Sequence, residues 1–180
     1  MKKLLVFALP LFLFSCKSGV EAHKVAIEGL GTSWDAATAA VTGFSEGITK
    51  DMTSMTEAAG QMMLDSAKVA GLKGDGATKW AEATTAFKAA SDAYAPVQSE
   101  LSDFVTMWTE KAAGVTTLKD GLAAGKIEGD IPAQIAELSG LVTQANEKVT
   151  TWTAKQTELK TASDSALGML KAAYEMVAKK

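Results

Sequence analysis

Residues 131–178 read IPAQIAELSGLVTQANEKVTTWTAKQTELKTASDSALGMLKAAYEMVA. Taking every seventh residue from Ile131 returns Leu138, Ala145, Trp152, Leu159, Ala166 and Ala173. A companion series gives Ile135, Val142, Val149, Gln156, Ser163, Leu170 and Val177. Two mostly apolar stripes held at a period of seven specify a helix that buries one seam and supercoils left-handedly with its partners. A strand would alternate every second residue, and no such alternation runs through this stretch.

The same period runs through the rest of the chain. One series reads Ile27, Trp34, Val41, Ile48, Met55, Met62 and Val69, with companions Leu30, Ala37 and Phe44. Another reads Trp80, Phe87, Tyr94, Leu101, Trp108, Val115 and Leu122, with companions Ala83, Ala90, Val97 and Phe104. Two interruptions separate the three segments. Gly71-Leu72-Lys73-Gly74-Asp75-Gly76 is a cluster that a helix interior resists, because each glycine costs about 1 kcal/mol there. Residues 121–130 form the second, where Asp130 and Pro132 have the order of a helix N-cap followed by a first-turn proline. The expected fold is all-α, with helices over about 22–70, 77–121 and 131–178 in one domain spanning 22–180. Three stripes joined by two turns predict an elongated antiparallel three-helix coiled coil running up, down, up. Gly43, Gly47 and Pro96 carry the alternative, a rounder four- or five-helix bundle broken near Gly47 and Pro96. The phase of the repeat crosses both places unchanged, which favours a kinked but continuous helix.

Reflecting the segments about their turns places Asp51, Pro96 or Val97, and Gln156 in one layer. Asp51 and Gln156 then form a polar core layer at seam positions, where a buried polar residue commonly fixes register at some cost in stability. By that reading Asp51→Leu raises thermal stability, and a small polar ligand pocket is the functional alternative. The same reflection sets Trp152 opposite Gly43 and Gly47. Trp34, Trp80, Trp108 and Trp152 all fall on principal seams and read as core. Met52, Met55, Met62 and Met63 cluster late in the first segment, facing Leu167, Met169, Leu170, Tyr174, Met176 and Val177. This set is wider than a seam. Met52, Met63, Leu167, Met169, Tyr174 and Met176 form its candidate apolar partner surface, since methionine adapts to irregular partners.

Composition narrows the function. The chain has 180 residues, a formal net charge of -3, one His and one Cys, and all 18 of its basic residues are lysine. Without arginine, and with an acidic balance, nucleic acid is not an expected partner. His23 and Cys16 cannot by themselves build a metal or redox centre. Phosphate-binding glycine loops, paired metal-ligand motifs and nucleophile elbows are missing, so neither an enzyme nor a cofactor is expected.

The beginning of the chain carries an address. MKKLLVFALPLFLFS, residues 1–15, sets two lysines before an apolar run from Leu4 to Phe14 and ends on a small residue. The run is shorter than the roughly 20 apolar residues of a spanning helix and has the order of a secretory signal peptide. With the sole cysteine immediately after it, the segment resembles a bacterial lipoprotein precursor, Leu13-Phe14-Ser15-Cys16 standing as the lipobox. The resemblance implies cleavage before Cys16, diacylglycerol on its sulfur and an acyl chain such as palmitate on its new amino group. Residues 16–21 then become a short tether. Lys17 and Ser18 lack the aspartate of the inner-membrane retention signal of enteric bacteria, which favours the outer membrane, on its periplasmic or its surface face.

The expected role is that of a membrane-anchored structural, adaptor or protein-binding module of the bacterial envelope. The alternatives are a surface lipoprotein that meets a host or phage molecule, and a carrier or chaperone of an apolar ligand. Partners are expected to be the membrane, through the lipid, and an envelope or extracellular protein, with homo-oligomers compatible with the same surfaces.

Overall fold

The computed structural model describes residues 19–178. The expected signal segment 1–15 and the expected lipidation site Cys16 lie outside the described residues. The described chain is helical, with no strand. Gly19 leads into a 3-10 turn at Val20–His23, and five α-helices follow: α1 (Lys24–Gly60), α2 (Ser66–Gly71), α3 (Asp75–Asp92), α4 (Ala95–Ala124) and α5 (Ile131–Ala178).

The two long helices form where the repeat is least disturbed. The 37 residues of α1 span about 55 Å and the 48 residues of α5 about 72 Å, at 1.5 Å per residue. Threonine is a poor helix former, yet it is frequent here. Its hydroxyls fold back onto carbonyls one turn earlier, as in Thr49 on Ser45 and Thr157 on Thr153. That satisfies the hydroxyl but adds little stability, so burial of the seam must hold the helices. The seam is indeed buried. Ile27, Trp34, Val41, Ile48 and Met55 of α1 are buried together with Leu138, Ala145, Trp152, Leu159, Ala166 and Ala173 of α5. Among the described residues every buried side chain falls between Ile27 and Val177, so a chain of residues 19–180 keeps all of the core that they form.

Chain direction follows from paired contacts. Phe44 stacks on Trp152 and Asp51 meets Gln156, so α1 and α5 run parallel. A Cβ on Gly31 would meet the Lys119 side chain while Trp108 Nε1 donates to Thr38, so α4 runs antiparallel to α1. A Cβ on Gly76 would touch Val177, and Tyr94 meets Ser163, so α3 runs antiparallel to α5. The middle of the chain changes partner on its way: α3 packs chiefly on α5, and α4 chiefly on α1.

Two of the three expected helices differ from the sequence expectation. The first helix does not run from 22 to 70. It stops at Gly60, and after a turn the carboxylate of Asp65 caps α2 by accepting from the Lys68 backbone N–H at 2.7 Å. The second helix, expected over 77–121 as a kinked continuous rod, is two helices separated by Ala93 and Tyr94. Pro96 sits in the first turn of α4, where its missing N–H removes no intrahelical bond. Both separating residues keep right-handed helical dihedrals, which is why the seven-residue phase survives the break. The chain does not break near Gly47, because α1 passes through Gly43 and Gly47 without interruption. The third helix occupies 131–178. At its start the Asp130 carboxylate accepts from the Ala133 N–H at 3.0 Å. Before it, Gly125 ends α4 in the left-handed region (φ 69°), letting the Lys126 N–H reach the Gly121 carbonyl at 2.9 Å.

Candidate functional site

Two places in the bundle gather chemistry: a stack of aromatic rings with a charged rim, and the polar pair at Asp51 and Gln156. A third, the end where α1 stops, is apolar and open.

The aromatic stack follows directly from the seams. Trp34 of α1 and Trp108 of α4 lie face to face, centroids 3.7 Å apart and planes within 11°. Phe104, one turn before Trp108, makes an edge contact with Trp152 of α5 at 5.5 Å, and Phe44 closes the set by stacking on Trp152 at 5.4 Å. Aromatic pairs at such spacings add about 0.5–1.5 kcal/mol each beyond area burial. The indole nitrogens fare differently. Trp108 Nε1 donates to the Thr38 hydroxyl at 2.9 Å, and that hydroxyl donates to the Trp34 carbonyl. Trp152 Nε1 is buried without a hydrogen-bond partner.

Above Trp152 lies the charged rim. Lys148 Nζ pairs with Glu100 at 2.6 Å, joining α5 to α4, and stands 5.4 Å from the Trp152 ring centroid and 5.9 Å from that of Phe104. The Lys148 hydrogen bond holds the Glu100 carboxyl below the ordinary carboxylate value. The Trp152 N–H lowers it further, from a position that falls short of a hydrogen bond, while partial burial opposes both. Further along the same two helices Lys111 meets Glu137 at 2.6 Å, and that hydrogen bond raises the lysine above its ordinary value. The concavity above Trp152, lined also by Gln144, Glu147 and Thr151, is open to solvent.

The polar pair is in contact. Gln156 Nε2 donates to the Asp51 carboxylate at 2.6 Å, with both side chains half-buried. Gly47 lies beneath the Gln156 amide, since a Cβ there would come within 3.0 Å of Nε2. Gly47 therefore makes room for glutamine, not for tryptophan. Gly43 is exposed, and a Cβ there would meet nothing within 4 Å. The indole of Trp152 packs on Phe44 instead, which is buried on α1 while Gly43 beside it is exposed.

The methionine set is divided by the structure. Met52 and Leu167 pack against the core, and Tyr174 is half-buried. Met63, Met169 and Met176 are exposed, Met63 at 76%. Beneath them Ala59, Ala83, Leu170 and Ala173 form a small second core with Met62, Trp80 and Phe87. Sequence reasoning missed the Glu100–Lys148 rim and the Tyr94–Ser163 hydroxyl pair at 3.3 Å. The Ser163 signal was present, as a polar residue on a companion seam.

Among the described residues no cluster of His, Cys, Asp and Glu could hold a metal ion, and no helix is long and apolar enough to cross a membrane. No known family, curated protein or solved structure matches the chain.

Proposed function

We propose that this chain is a lipid-anchored helical adaptor of the bacterial envelope, held by acyl groups on Cys16 and presenting an elongated, up-down-up coiled coil to a protein partner. One observation carries the reading: the sole cysteine falls directly behind a charged start and a short apolar run, in Leu13-Phe14-Ser15-Cys16. The fold is compatible with it. Helix α1 opens at Lys24, eight positions past Cys16, so the bundle would stand close to the membrane with little slack. Seams at a period of seven over α1, α3–α4 and α5 support a coiled coil in preference to a rounder bundle. Exposed methionines at one end favour a binding role over a passive spacer.

The test is acylation and release. Labelled palmitate is expected in the wild-type protein and not in Cys16→Ser, which should appear unprocessed or in the soluble fraction. A Cys16→Ser protein that matures normally and stays on membranes would overturn the anchor. Solution scattering of residues 19–180 checks the rod, whose longest dimension should exceed the ~72 Å of α5.

A further inference from the structure

We propose that Met63, Met169 and Met176 form a reversible oxidation site, at which hydrogen peroxide turns one end of the bundle from apolar to polar without disturbing the fold. The described residues hold no cysteine, so methionine thioethers are the groups among them that a peroxide oxidises most readily. Met1 apart, burial divides the methionines into two sets. Met55 is 4% exposed, Met52 and Met107 pack against the main core, and Met62 packs on the small second core. Oxygen added to any of these four would bury an unpaired S–O dipole among apolar side chains. Met63 is 76% exposed, and Met169 and Met176 are each 43% exposed. Oxygen added there faces water.

The three exposed thioethers share one end of the molecule. Met62, the chain neighbour of Met63, packs on the same small core that holds Leu170, the chain neighbour of Met169. Met176 follows Met169 by seven residues on α5, about two turns along the same face. None of the three belongs to either core. In the reaction a sulfur lone pair attacks one oxygen of the peroxide, and the S–O bond forms as the O–O bond breaks. The departing hydroxide takes the proton from the transferred oxygen, so each thioether loses two electrons and each peroxide yields one sulfoxide and one water. A thiol-dependent sulfoxide reductase runs the return: two thiols become a disulfide and the oxygen leaves as water. The cycle changes polarity at this end while the buried seams keep their packing.

The test follows single residues in the full chain. The protein is treated with hydrogen peroxide, quenched with free methionine, digested, and read peptide by peptide by mass spectrometry. Rates are expected to follow exposure, with Met63 oxidised roughly nineteenfold faster than Met55, the ratio of 76% to 4%. A fast phase should add three oxygens, at Met63, Met169 and Met176, and leave the far-ultraviolet circular dichroism unchanged. In guanidinium chloride, which removes burial, all the methionines should react alike. Methionine sulfoxide reductases of both epimer specificities should return the folded protein to its starting mass. Met63→Leu with Met169→Leu and Met176→Leu keeps that end apolar and should abolish the fast phase. Equal rates at Met55 and Met63 in the folded protein, or a fast phase that survives in the leucine variant, overturns the proposal. So does loss of helix content when only the three are oxidised, or a sulfoxide set that the reductases cannot clear. Oxidation here and acylation of Cys16 fall on different side chains and are read separately, so either can fail while the other holds.

Discussion

Replacing Trp108 or Trp152 with phenylalanine removes the same atoms from two similar places and should give different answers. Each indole touches two other aromatic rings and is nearly fully buried, so the lost packing is comparable, about 1–2 kcal/mol in either case. The hydrogen bonds are not comparable. Trp108→Phe also deletes a satisfied donor, the 2.9 Å bond to Thr38, which contributes about 1 kcal/mol. The Thr38 hydroxyl keeps its own bond to the Trp34 carbonyl, so it is not stranded. Trp152→Phe instead deletes a donor that is buried without a partner and costs about 1–3 kcal/mol to keep there. The expected sum is near neutral for Trp152→Phe and about 2–3 kcal/mol of destabilisation for Trp108→Phe. Urea unfolding of residues 19–180, followed by far-ultraviolet circular dichroism so that tryptophan emission plays no part, measures both. If Trp152→Phe costs as much as Trp108→Phe, the Trp152 N–H has a partner in solution, and Glu100 is the group that faces it. In that event Glu100→Gln should reproduce part of the loss in the wild-type background and none of it beside Trp152→Phe.

Gly43→Ala should stabilise α1 by about 1 kcal/mol, because the position is an exposed helix interior with open space, and a fall in melting temperature would refute that placement. Gln156→Leu should destabilise by about 1–3 kcal/mol, since it strands the Asp51 carboxylate, while the double change with Asp51→Leu should recover that loss or exceed the wild type. A double-mutant cycle without coupling between the two would show that their 2.6 Å contact does not persist in solution. Glu100 has a lowered folded-state value, so its support is complete above the ordinary carboxylate value and fades as pH falls through the lowered one. Glu100→Gln should accordingly flatten the acid limb of the stability profile, and only slightly, because half of that side chain is exposed and solvent screens the pair.

The sequence by itself determined the helices and nearly all of what they bury. A period of seven is a property of the chain alone, and it placed Ile27 to Met55, Tyr94 to Val115, and Leu138 to Ala173 on faces that cannot remain in water. It brought Asp51 near Gln156 for the same reason, because turn positions and helical rise set the register of a rod. Periodicity is silent about where a partner helix ends. Met62 and Val69 continue the first seam in phase, yet they lie half-buried and exposed, because α1 stops at Gly60 and an Asp65 cap starts a new helix. Trp80 keeps its phase too and is only half-buried beside that opening. Nor does a repeat say which neighbour a seam faces. The pairing of α3 with α5 and of α4 with α1, the seat of Trp152 on Phe44 instead of over glycine, and the Glu100–Lys148 rim all depend on rotation between helices. That rotation is set by how large rings pack side by side in three dimensions, and spacing along one chain does not encode it.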